Sequence, residues 1–72
     1  MKEAIKLLDV VALTEDLRER GLLRGQVGTV VEVLAPDVFE VEFIDNAGHI
    51  YASLSLKADK LMPLHHQPVK VA

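Results

Sequence analysis

The sequence predicts an all-β fold: a small five-stranded barrel with a long loop between its first two strands. Three observations point to it. From Val38 to Ile44 the apolar Phe39, Val41 and Phe43 alternate with Glu40 and Glu42, the period-two pattern of a strand with one buried face. Gly25 and Gly28 stand at the mouth of the Val-rich run Val27-Gly28-Thr29-Val30-Val31. Glycine accepts positive φ and close backbone approach, so the pair suits a chain reversing tightly into a strand. Turn-forming residues then separate the later apolar runs at hairpin distance.

Each element follows in order. Residues 1–7 form a short helical turn or an extended lead-in, and Leu8 to Leu13 is the first strand, β-branched and apolar. Residues 14–25 are a polar excursion read as a long arm; Thr14 is placed to cap one helical turn, but the segment is short and ends in glycine. Gln26 to Leu34 is the second strand. Ala35-Pro36-Asp37 is a tight turn, with proline pre-set for its first corner. The third strand, Val38 to Ile44, runs into Asp45-Asn46-Ala47-Gly48, a short loop with Gly48 in the left-handed position. In the fourth strand, His49 to Leu56, the alternation puts Ile50, Ala52, Leu54 and Leu56 inward and His49, Tyr51, Ser53 and Ser55 outward. Lys57-Ala58-Asp59 reads as one 3₁₀ turn, Lys60 to Leu64 as a closing strand ended by Pro63, and 65–72 as a frayed tail. This order describes an SH3-like barrel. An OB-type barrel places a helix between its third and fourth strands, and Asp45–Gly48 is too short to hold one.

Length and composition bound the rest. Residues 1–72 make one domain with its core at about 8–64, since a second core would have almost nothing to bury. The absence of cysteine excludes disulfides, thiolate metal sites and cysteine nucleophiles, and fits a reducing cytoplasm. Charges at Lys2, Glu3 and Lys6, with no long apolar run after them, argue against a leader or membrane span. A net charge of −3 leaves no global basic footprint, which counts against nucleic acid as the partner. Half of the residues are hydrophobic, yet Tyr51, Phe39 and Phe43 are the only aromatics. A barrel this small leaves part of that aliphatic mass outside, where it serves self-association or a partner.

Four fragments together carry a family resemblance: Leu7-Leu8-Asp9-Val10-Val11-Ala12-Leu13, Gly25-Gln26-Val27-Gly28-Thr29-Val30-Val31, Phe39-Glu40-Val41-Glu42-Phe43 and Leu56–Leu64. The glycine pair resembles the KOW-type lead-in to the second strand of an SH3-like barrel. From Leu7 to Leu64 the chain resembles the domain-of-unknown-function family 4926. The resemblance implies a small cytosolic bacterial protein with an SH3-like fold and no established activity. It also implies gene pairing with another small protein, as in toxin–antitoxin systems.

Candidate chemistry is sparse. Arg18, Arg20 and Arg24, with Lys57 and Lys60, are the basic group, but Glu15, Asp16 and Glu19 are interspersed; a solvated mixed-charge loop explains them better than a phosphate track. Adjacent His65 and His66 point opposite ways on an extended chain, and His49 stands apart, so no metal site is expected. Ser53 and Ser55 share a face with His49 and Tyr51, without the elbow or oxyanion nest of a serine hydrolase. Gly48-His49-Ile50-Tyr51 is distantly similar to the Val-Gln-Ile-Tyr strand of plasmid-borne type II dihydrofolate reductase, with His49 in place of glutamine.

These readings favour a non-enzymatic module that needs no cofactor and binds another protein, with self-association open. Its expected docking patch is Leu22, Leu23, Val30 and Tyr51, with Arg18, Glu19, Arg20, Arg24, Glu40 and Glu42 at the rim. The competing fate of Leu22 and Leu23 is a lid folded back on the barrel. Gly25, Gly28 and Gly48 are expected to shape turns. The alternatives are a KOW-like RNA-binding module using Arg20, Arg24 and Lys60, and a subunit of an oligomeric enzyme.

Overall fold

The structure is a computed structural model that describes residues 4–65. Five antiparallel strands form one sheet: β1 (Val10–Leu13), β2 (Val27–Ala35), β3 (Val38–Ile44), β4 (Ile50–Lys57) and β5 (Leu61–Pro63), in the order β4-β3-β2-β1-β5. The fold is all-β, as expected. The expected tail lies outside the described residues apart from His65, as do the first three residues of the lead-in and His66.

The core follows from β3. Phe39, Val41 and Phe43 point to one side, and Val11, Leu13, Leu22, Val30, Leu54, Leu56 and Leu61 close over them. Gly28 fixes how near β2 comes to β3. It lies opposite Phe43 in the ladder, and a Cβ there would sit 2.7 Å from Val41 Cγ1 and 2.8 Å from the Glu42 carbonyl oxygen. Gly28 is therefore required for space, whereas Gly25 (φ 91°) and Gly48 (φ 85°) are required for left-handed turns. At the β3–β4 turn the Asp45 carboxylate accepts the N–H groups of Ala47 and His49, each at 2.9 Å, a local bond pattern that holds such turns.

Four details depart from the sequence reading. Leu8 is not in β1: its φ is 71° and its side chain is exposed. The chain turns there because Asp9 folds back on Lys6, its Oδ2 accepting the Lys6 N–H at 2.8 Å and its own N–H reaching the Lys6 carbonyl at 3.1 Å. Ile50 is 55% exposed instead of inward, because a register shift between Phe43 and Ile44 places Ile50 opposite Ile44 and leaves Tyr51 without a ladder partner. Thr14 caps no helix; its Oγ1 donates to the Asp59 carbonyl at 3.1 Å and its N–H to Lys60 O at 3.0 Å. The closing 3₁₀ turn is Ala58–Lys60, one residue later than expected.

The arm between β1 and β2 is itself a tight hairpin. Leu17 and Leu22 exchange backbone hydrogen bonds at 2.8 and 3.1 Å around a 3₁₀ turn at Arg18–Arg20. Leu22 then drops into the core. No helix among the described residues is long and apolar enough to cross a membrane.

Candidate functional site

Leu22 and Val30 are removed from the expected docking patch. They are 1% and 0% exposed, so neither offers area to a partner. Leu22 is pulled in by the arm's hairpin, and Val30 shares the parity of Gly28, which faces the core. Leu23 and Tyr51 remain at the surface. Gln26, which the sequence reading passed over, joins them: its side-chain oxygen accepts the Leu23 N–H, and its Nε2 donates to the Tyr51 hydroxyl at 2.9 Å. The Tyr51 ring is tilted 45° to Phe43 with centroids 6.3 Å apart, a geometry suited to aromatic pairs.

A second apolar surface was not anticipated. Across three strands, Ala12 pairs with Val27 on one side and with Met62 on the other. Directly opposed residues share a sheet face, and this face is the outer one. Val27 and Met62 are 46% and 52% exposed, while Ala12 is shaded between them and stays out of the core cluster. Met62 also lines an open groove of about 660 Å³ whose walls include Ile5, Phe39, Ala58, Leu61 and Pro63. The available sequence signal was Met62 itself, set between buried Leu61 and half-buried Pro63 in a strand too short to bury both faces.

The charges distribute unequally. Arg18 reaches Asp16 Oδ2 at 3.3 Å, and Asp16 Oδ1 accepts the Arg24 N–H at 2.8 Å, so Asp16 ties the arm together. Lys60 Nζ donates to Glu15 Oε1 at 3.0 Å. That bond, and then the Glu15 charge, raise the Lys60 pKa above its ordinary value. Among the described residues, the guanidinium groups of Arg20 and Arg24 have no ion-pair partner. On the outward side of β2 and β3, Glu32 stands opposite Glu40. Glu40 accepts the hydroxyls of Ser53 at 2.8 Å and Ser55 at 3.0 Å, so both serines serve this carboxylate. His49 lies 3.7 Å from Asp45. No group of three or more potential metal ligands occurs among the described residues.

A small antiparallel sheet with an exposed apolar row on β2 and β5 and acidic side chains on β2 and β3 defines the class of molecule: a compact all-β domain. Residues 7–63 match the model of a family described as a domain of unknown function (DUF4926), and the chain belongs to that family. No curated protein matches it. No solved structure matches it either.

Proposed function

We propose that this chain is a non-enzymatic interaction module that docks another protein on the outer face of β1, β2 and β5. One observation carries the reading: Val27, Ala12 and Met62 form an apolar row across three strands, with Val27 and Met62 exposed on either side of the shaded Ala12. Methionine and aliphatic side chains ringed by polar groups suit an interface centre. Arg24, which lines a groove with Met62 and has no ion-pair partner among the described residues, supplies rim charge for orienting a partner. A protein encoded beside this one, in an antitoxin-like pairing, is the partner to try first.

The test is co-expression with that neighbour and titration of the purified pair. Val27→Lys combined with Met62→Lys should weaken binding at least about tenfold, the equivalent of ~1.4 kcal/mol, with folding unchanged. Unaltered binding by the double variant would remove this face from the interface.

The guanidinium groups of Arg20 and Arg24, without an ion-pair partner among the described residues, favour RNA as the second reading. Phosphate contacts give a steep loss of affinity with salt, and Arg24→Glu would then abolish binding. Salt-insensitive protein binding argues for the first reading.

A further inference from the structure

The two edges of the sheet are protected to different degrees. β5 is three residues long and ends in Pro63, a short, proline-stopped edge of the kind that resists further pairing. β4 runs for eight residues, Ile50 to Lys57, without proline and with Lys57 as its sole charge. Among the described residues, the β4 ladder runs to β3 alone, and no backbone bond from the arm reaches β4. Its row of outward amides and carbonyls is a template for another strand.

The side chains along this edge specify which strand. The neighbouring β3 is acidic, but Ser53 and Ser55 both turn their hydroxyls onto Glu40. The edge itself presents the uncharged Tyr51, Ser53 and Ser55, with the Glu40 carboxylate held back on β3 by the two serines. The ends are opposite in sign. Asp45 lies beside His49 at the start of β4, and Lys57, without an ion-pair partner among the described residues, closes it. An antiparallel copy of the same strand brings each end against its complement.

We propose that the second occupant of this edge is another copy of the chain, joined β4 to β4 about a two-fold axis into a continuous ten-stranded sheet (two copies of the five strands in the order above). Ser53 faces Ser53 of the second copy across the axis. Ala52 then lies opposite Leu54, both on the inner side of their sheets. Lys57 lies opposite His49 and next to Asp45. The central pairs keep outward with outward at Ser53 and inward with inward where Ala52 meets Leu54, the condition for strand register. This surface is separate from the outer face of β1, β2 and β5, so the two proposals fail independently.

The test uses the full chain, which has no cysteine of its own. Sedimentation at protein concentrations up to about 1 mM should show a monomer–dimer equilibrium, as weak edge contacts require. Ser53→Cys should form an intermolecular disulfide under mild oxidation, because opposed residues bring their Cβ atoms within about 5 Å. Ser55→Cys should not, since its mate is displaced along the strand by roughly 13 Å. Ser53→Lys, which sets two cations against each other on the axis, should raise the dimer dissociation constant at least about tenfold. A monomer throughout the range would overturn the proposal. So would equal cross-linking of the two cysteine variants, or a dimer lost on Val27→Lys but untouched by Ser53→Lys.

Discussion

Gly28 and Phe43 face each other across the β2–β3 ladder, and the Phe43 ring occupies the space that a side chain at position 28 would need. A Cβ at Gly28 would stand 3.0 Å from Phe43 Cδ2, with the Glu42 carbonyl oxygen at 2.8 Å. The ring can shift, but the backbone oxygen belongs to a strand held on both sides. The narrow gap is therefore a property of the sheet.

Gly28→Val should destabilise the fold by about 1–3 kcal/mol or more, the range for forcing atoms into a filled interior. Gly25→Ala, where nothing lies within 4 Å of the new Cβ, should cost less and only through its φ of 91°. Paired denaturant titrations check the order; equal losses would mean that space at Gly28 is not limiting.

Leu22→Ala should cost about 2–5 kcal/mol, as deletion of a buried leucine does. Leu23→Ala, its exposed neighbour, should stay within about 0.5 kcal/mol. Thermal unfolding of the two variants separates a core leucine from a surface one. A mild Leu22 variant would place the arm outside the core.

Asp45→Ala removes the acceptor of two backbone N–H groups in the β3–β4 turn. The expected loss is about 1–2 kcal/mol at neutral pH, from a net value near 1 kcal/mol for each hydrogen bond. Asp45→Asn, which keeps a side-chain oxygen at that place, should recover most of it.

The Lys60–Glu15 contact gives an alkaline signature. Its folded pKa is raised above the ordinary 10.5, so the stabilisation is complete below that value and disappears as pH rises through the folded value. Lys60→Met should therefore be less stable than the parent at neutral pH and lose less stability above pH 10.5. Parallel melting curves across that range give the comparison, and superimposable pH profiles would deny the contact any energetic role.

Much of this architecture was legible in the chain, because strict alternation at Phe39, Val41 and Phe43 leaves one assignment for β3, and its neighbours follow by hairpin. The failures share a cause. Ile50 obeys the inward parity of Leu54 and Leu56, yet one unpaired residue at Tyr51 reverses it, and nothing in the local residue types marks that position. In β2, Val30, Val31 and Val33 are interchangeable as sequence; only the crowding at Gly28 decides that Val30 goes in. Paired leucines in a polar arm gave two equally good fates, and the structure divides them, Leu22 inward and Leu23 outward. The Val27–Ala12–Met62 row was invisible for a different reason: it joins three strands far apart in sequence, so it exists only after the register does.

Burying Leu22 also changes what kind of recognition the arm can perform. To swing aside, it would have to withdraw a leucine from a close-packed interior and break the Leu17–Leu22 exchange. Arg20 and Arg24 therefore stand on a fixed mount. Whatever meets them encounters a preset arrangement, and the ordering entropy that a floppy loop would lose at contact has already been lost when the chain folded.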